Sequence, residues 1–276
     1  MQQLSTALPQ LVYGTAWKEY ETERLTLLAL EAGFRGIDTA NQRKHYHEAQ
    51  VGSAIAKAIA RGLVDRDALF VQTKFTSVDG QDHRLPYDGK ADPRAQVEQS
   101  FASSLEHLQI ESLDSYVLHG PTTHTGIAPY DLEVWRAMEA LQNRGATRLI
   151  GVSNIALDQL EELCERAYVA PAFVQNRCYA RTGWDRDVRS FCTKRGIVYQ
   201  GFSLLTANRT ELSGARFSSL CSRLGKTAAQ IVFRFAVQLG MQPLTGTSDA
   251  MHMREDLAID DFTLTADELH LVEYLA

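Results

Sequence analysis

The sequence predicts a single (β/α)8 barrel, the TIM-barrel fold, formed by residues 1–276 as one domain with its active site at the C-terminal ends of the strands. Three observations predict it. A unit recurs along the chain: a helix-period segment, then a glycine or short polar break, then a short apolar run that stops abruptly on polar residues. The runs are rich in Val, Ile, Leu and Phe, as strands covered on both faces are, and glycine is the residue that most readily follows a helix. Eight strands and about eight helices suit a chain of this length, since such barrels usually take ~250 residues.

A first strand is expected at residues 11–15 and a helix at 23–32. EAGFRGIDTA then carries the second strand to Asp38, with a helix at 49–60. RGLVDRDALFVQTK ends the third strand on Lys74. The longest loop, 76–92, follows it and is expected to hang over the active-site face, ahead of a helix at 93–108. LQIESLDSYVLHG ends on His119 before a helix at 130–143, and NRGATRLIGVSN ends on Ser153-Asn154 before one at 157–168. YVAPAFVQN closes on Gln175-Asn176 with a helix at 185–195, and KRGIVYQGFS on Phe202-Ser203 with a helix at 227–239. QLGMQPLTGT supplies the eighth strand, ending on Thr245-Gly246. The competing fold, an open doubly wound sheet, lacks its signature: the first strand runs into Tyr13-Gly14-Thr15-Ala16-Trp17, too bulky for a Gly-x-Gly-x-x-Gly turn. No linker, low-complexity segment or charge run divides the chain.

Composition excludes several classes. A net charge of −6 with scattered Lys and Arg offers no electrostatic footprint for nucleic acid or an anionic membrane. Cys164, Cys178, Cys192 and Cys221 form no Cys-x-x-Cys and read as reduced structural thiols. MQQLSTALPQ has no basic segment leading into an apolar one, and no stretch approaches the ~20 apolar residues of a membrane span, so a cytoplasmic location is expected.

In a barrel, chemistry belongs where strands finish, and one Asp, one Lys and one His fall on that rim: Asp38, Lys74 and His119. Each alone could be a cap, a snorkelling amine or a satisfied core imidazole. Together they suit a tyrosine. A phenol near pKa 10 is a poor proton shuttle at neutral pH. An ammonium about 4 Å away is worth ~4 kcal/mol at an effective dielectric of about 20, enough to bring it close to 7. An aspartate beside the lysine keeps that charge in place when it is buried.

With these residues the chain resembles the aldo-keto reductase superfamily, NAD(P)H-dependent carbonyl reductases on a (β/α)8 barrel. The resemblance runs from Gly14 to about Leu264. It rests on Gly33-Phe34-Arg35-Gly36-Ile37-Asp38-Thr39-Ala40, Phe70-Val71-Gln72-Thr73-Lys74, Leu118-His119-Gly120-Pro121, Ile150-Gly151-Val152-Ser153-Asn154, Gln175, and Gly201-Phe202-Ser203-Leu204-Leu205. It implies that Ser153, Asn154 and Gln175 hold the nicotinamide carboxamide and that Phe202 stacks on the ring. Ser203 and Leu205 backbone groups would receive the pyrophosphate, and Trp17 would wall the substrate.

Two departures bear on mechanism. Anchoring on Glu48 and Val51-Gly52 puts His45 at the family's tyrosine position, whereas anchoring on Asp38 puts Arg43 there. An insertion within residues 41–44 brings Tyr46 into place, and loop insertions cost little, so Tyr46 is the expected acid. His45 as the acid, with Tyr46 as pocket wall, is the alternative. Beyond the eighth strand, the resemblance puts a lysine and an arginine on the cofactor's 2′-phosphate where this chain has Gly246 and His252. Arg254 lies two residues on and on a helix faces elsewhere. Asp256 replaces an asparagine expected at the adenine, while Thr247 and Ser248 can donate hydrogen bonds beside a helix N-terminus. NADPH is the expected cofactor, with NADH in reach because discrimination is weak.

The expected reaction is reduction of a small-molecule aldehyde or ketone by a monomer, the substrate being selected by Trp17, His45 and the loops at 76–92 and 122–129. Two other functions compete. A metal-dependent barrel hydrolase would use His45, His47, His119 and Asp38, although no second His cluster accompanies them and no metal is expected. A regulatory barrel would keep the cofactor pocket without turnover.

Overall fold

The structure, a computed structural model, describes residues 8–275, so the reading of MQQLSTALPQ lies mostly outside the described residues. Its centre is a closed barrel of eight parallel strands in chain order: β1 (Val12–Gly14), β2 (Gly36–Asp38), β3 (Phe70–Phe75), β4 (Leu113–Leu118), β5 (Thr147–Ser153), β6 (Phe173–Arg177), β7 (Val198–Phe202) and β8 (Gln242–Thr245). β8 closes on β1 through the pairs Val12 with Leu244 and Tyr13 with Thr245.

Around it lie α1 (Thr22–Ala32), α2 (Glu48–Ala60), α3 (Pro93–Leu108), α4 (Pro129–Asn143), α5 (Leu157–Arg166), α6 (Arg186–Arg195), α7 (Arg209–Leu212), α8 (Ala215–Leu224), α9 (Ala228–Gln238), α10 (Ala250–Leu257) and α11 (Ala266–Glu273). The seven expected helices are present within two residues at each end. The four unexpected ones, α7, α8, α10 and α11, are short and lie outside the simple alternation. α7 and α8 fill the crossover between β7 and α9, and α10 and α11 follow the last strand.

Local chemistry explains the parts that place the rim. Gly33 ends α1 at φ 115°, so the chain reverses into β2 at once. α2 and α3 approach so closely that a Cβ on Gly52 would stand 2.0 Å from the His107 carbonyl oxygen. The same contact buries Glu48, which accepts from His107 Nδ1 at 3.0 Å and from the Thr73 hydroxyl. Glu48 is therefore a structural clasp between β3, α2 and α3, and it anchors the segment that carries Tyr46.

The barrel interior is layered. Phe70 and Phe173 meet edge to face across its lower part, with ring centroids 5.6 Å apart. Above them Gln200 joins Gln72 at 2.9 Å and Gln242 at 2.7 Å, and at the top Gln72 and Gln175 both donate to Asp38 Oδ1. A buried carboxylate only accepts, so these donations fix which way each amide faces.

Two loop expectations are corrected. The 76–92 loop does not hang over the cavity; it folds through a short 3-10 turn and ties itself to the β2 loop. Gln42 donates to the Gly80 carbonyl, Gln81 to that of Asn41 and Arg84 to that of Arg43, each at 2.8 Å. The 122–129 loop likewise contributes no residue to the cavity lining; Thr122 is bonded to Asp131 and the Ile127 amide to Glu162.

Candidate active site

At the strand C-termini a cavity of about 830 Å³ opens, large enough for a dinucleotide with a small substrate. Asp38, Tyr46 and His119 line it, as do Trp17 and His45. So do Ser153, Asn154, Gln175, Phe202, Ser203, Leu205, Gly246, Thr247 and His252. Of the site residues expected from the sequence, Lys74 alone lies beneath the floor, 1% exposed.

Lys74 Nζ donates to both Asp38 oxygens, at 2.7 and 2.6 Å, and to the Thr39 carbonyl at 2.9 Å. Burial pulls its pKa below the usual lysine value, and the Asp38 carboxylate is the main force opposing that. The Tyr46 ring lies over this pair, its centroid 5.4 Å from Lys74 Nζ and 5.9 Å from the His119 ring, edge to face.

The expected electrostatics of Tyr46 are corrected. Its pKa is raised, not lowered: burial is the main cause, and the Asp38 charge adds to it. The reason is that Lys74 and Asp38 face the phenol as a pair. The Asp38 charge opposes ionisation of the phenol, and desolvation is the larger cause. The hydroxyl is held protonated across the neutral range.

His119 is also neutral, its pKa pushed down to about 3 by burial and then by the charges of Lys74 and His45. Its Nδ1 lies 2.7 Å from the Thr76 hydroxyl. When Thr76 donates there, Nε2 carries the ring proton.

His45 and Tyr46, adjacent in sequence, take different surroundings. The chain turns at residues 42–45, with both the His45 and Tyr46 amides donating to the Gln42 carbonyl. The turn sends Tyr46 to His119 and His45 to Trp17, whose ring centroid is 3.7 Å away. The Trp17 amide also donates to the His45 carbonyl at 2.8 Å. Trp17 holds a left-handed backbone, φ 62°, and is 68% exposed.

Next to Tyr46 and His119 are unengaged acceptors. Asn154 donates to the His119 carbonyl at 2.7 Å and to Ser153 Oγ at 3.2 Å, leaving Oδ1 without a partner among the described residues. Gln175 uses both amide protons on Asp38 and Gln200, leaving Oε1 likewise. Two acceptors at one end of the cavity match the amide donors of a nicotinamide carboxamide. Beyond Phe202, the 203–208 turn is pinned from within by Asn208, which donates to the Cys178 and Leu204 carbonyls.

At the far end the expected helix-terminus anion site is corrected. Asp249 caps α10 and accepts from the amides of Met251 at 2.7 Å and His252 at 3.1 Å, so its own carboxylate fills that place. Thr247 Oγ1 accepts from the Asp249 amide. Arg254 turns back onto the Ala250 carbonyl. Asp256, 2% exposed and lining the cavity, accepts from the Thr245 hydroxyl at 2.7 Å; burial raises its pKa to about 6. Among the described residues no three His, Cys, Asp or Glu side chains converge as a metal site would require.

Several site residues were not anticipated. Lys18 reaches across the rim to the Gly246 carbonyl. Thr76 orients His119, and the alternation that turns Lys74 inward was the one signal for it. Gln72, Gln200 and Gln242 support Asp38 from below, but in sequence they look like interruptions of apolar strands.

A barrel rim that joins a carboxylate, an ammonium, a phenol and an imidazole beside a dinucleotide-sized cleft can accommodate a cofactor-dependent oxidoreductase's chemistry. Residues 10–276 match the Aldo/keto reductase family, and the chain belongs to it. It is an NAD(P)-dependent oxidoreductase. It is 32% identical to a D-galacturonate reductase from Fragaria ananassa, over 92% of this chain and 82% of that one. It is 30% identical to an NADPH-dependent codeinone reductase from Papaver somniferum, over 96% and 85%. Among solved structures, an aldo-keto reductase of Bombyx mori in complex with NADP superposes with a TM-score of 0.82 at 26% identity, covering 98% of this chain and 90% of that one.

Proposed function

We propose that the protein reduces an aldehyde or ketone to the alcohol with NADPH, with Tyr46 giving the carbonyl oxygen its proton. The observation that carries this reading is the meeting of Tyr46 and His119 above the Asp38–Lys74 pair, inside the cavity that also holds the unengaged oxygens of Asn154 and Gln175. Bound NADPH supplies the hydride. Asn154 and Gln175 orient the carboxamide, Ser153 steadies Asn154, and Phe202 offers a ring face beside them. Ser203 and Leu205 border the diphosphate path. Gly246, Thr247 and His252 border the adenosine end.

A phenol kept protonated by burial is a proton donor when negative charge builds on the substrate oxygen, and the reaction supplies the driving force that a low pKa would otherwise supply. Neutral His119 donates a hydrogen bond to the same oxygen and sets the carbonyl's direction. Lys74 and Asp38 fix the floor on which the phenol rests.

NADPH is favoured because the Bombyx mori relative was crystallised with NADP and the Papaver somniferum relative is named for NADPH. Discrimination against NADH is weak, since Gly246 and His252 stand where the resemblance puts a lysine and an arginine, and the helix terminus is filled by Asp249. We also read the protein as a cytoplasmic monomer; among the described residues no helix is long and apolar enough to cross a membrane. Single-turnover oxidation of bound NADPH on adding an aldehyde tests the activity. Turnover supports it, and tight NADPH binding without oxidation would favour a regulatory barrel.

A further inference from the structure

We propose that His45 is a specificity-determining residue that hydrogen-bonds a hydroxyl on the carbon next to the substrate carbonyl, so that the protein prefers hydroxyaldehydes and hydroxyketones to their deoxy analogues. The inference rests on the carbonyl-reductase reading above. With Tyr46 as the acid, His45 has no part in the proton transfer, yet it lines the same cavity.

Its ring is held rigidly. Trp17 stacks on it at 3.7 Å with the planes 33° apart, and the Trp17 amide bonds the His45 carbonyl. Held this way, Nδ1 is buried without a hydrogen-bond partner among the described residues. The Lys44 carbonyl adjoins the ring but completes no bond to Nδ1. Nδ1 is closed to solvent, so the nitrogen a substrate group can reach is Nε2, which also has no hydrogen-bond partner among the described residues.

The charge state selects the group. Burial, and then the neighbouring Lys44, lower the His45 pKa, so the ring is neutral at physiological pH and attracts no carboxylate. A neutral imidazole has one N–H and one lone pair. A hydroxyl, donor and acceptor at once, satisfies either tautomer, whereas a methyl or methylene satisfies neither. The position follows from the cavity: His45 and Tyr46 line the same space, so a substrate whose carbonyl meets Tyr46 extends into the part that His45 and Trp17 border. A site built around such a pairing rejects the analogue lacking it, because the site's own polar atom is then left unpaired.

The test is the ratio of kcat/KM for lactaldehyde to that for propanal, which differ by one hydroxyl, measured with NADPH in the wild type, His45→Phe and His45→Asn. Phenylalanine keeps the stack on Trp17 and removes both nitrogens; asparagine keeps a donor and an acceptor. The expected ratio is about 10 or more in the wild type, corresponding to ~1.4 kcal/mol, close to 1 in His45→Phe and partly restored in His45→Asn. A ratio near 1 in the wild type, or a ratio unchanged in His45→Phe, overturns the proposal. If the wild type oxidises NADPH with neither aldehyde, nor with any other carbonyl compound, the reductase reading itself fails and the His45 assignment falls with it.

Discussion

Lys74 Nζ meets both carboxylate oxygens of Asp38, at 2.7 and 2.6 Å, and its third proton goes to the Thr39 carbonyl. Every proton of this buried ammonium is thus engaged below the cavity floor. The lysine meets the site as half of a pair that bridges β2 and β3 beneath Tyr46. Breaking one side of a buried pair is costly. Asp38→Asn is expected to destabilise the fold by about 3–5 kcal/mol in urea unfolding. The double variant Asp38→Asn with Lys74→Met should recover a large part of that loss, and a double variant as unstable as the sum of the singles would show the two residues acting independently.

Asp256 gives a pH dependence with a definite sign. Its pKa is about 6 in the fold against an ordinary carboxyl value of 3.8, so the folded protein holds this proton more tightly than the unfolded chain. The stabilisation is fully present below pH 4 and is lost as pH rises through 6. Asp256→Asn cannot ionise. It should match the wild type near pH 4 and exceed it at pH 8 by on the order of 3 kcal/mol, read from urea midpoints. The same substitution removes negative charge from the adenosine end, and titration with both cofactors should show NADPH binding gain more than NADH binding.

His119 behaves in the opposite sense. With a pKa of about 3 in the fold, it stays neutral where the unfolded chain begins to protonate, below 6.5. Its contribution to stability is complete above 6.5 and declines as pH falls toward 3. Activity should therefore show no break from His119 between pH 5 and 8. The urea midpoint of the wild type should fall more steeply from pH 6 to pH 4 than that of His119→Gln.

Gly52→Ala tests the clasp behind the Tyr46 loop. The added methyl would meet the His107 carbonyl oxygen and the Leu108 backbone, neither of which is a flexible side-chain end. A loss of 1–3 kcal/mol, roughly the cost of overpacking, is expected. Activity should fall along with stability, because Glu48 and the start of α2 move with Gly52.

The barrel was legible because its strands are apolar runs with abrupt ends, and those ends named the rim. Asp38 and His119 sit in the cavity wall, and Lys74 sits beneath its floor. The cofactor-side residues were legible only through resemblance, and they do line one cavity. What could not be read was charge in three dimensions. Sequence pairs Lys74 with a tyrosine, but only the fold shows Asp38 engaging Lys74 beneath the ring and burial raising the phenol. Nor does the run of residues 41–47 say where a turn will fall. The Gln42 carbonyl, capturing two amides, is what separates His45 from Tyr46. The 76–92 loop was misplaced because its anchors, Gln81 and Arg84, bind backbone carbonyls of a loop far away in sequence.

The proton donor is tested most directly by Tyr46→Phe, assayed for NADPH-dependent reduction of propanal beside His45→Phe. Tyr46→Phe is predicted to lose about 10²–10⁴-fold in kcat, the range for removing a general acid, while still binding NADPH. A Tyr46→Phe enzyme that keeps its rate, together with a His45→Phe enzyme that loses it by that factor, would contradict the assignment and make the imidazole the acid.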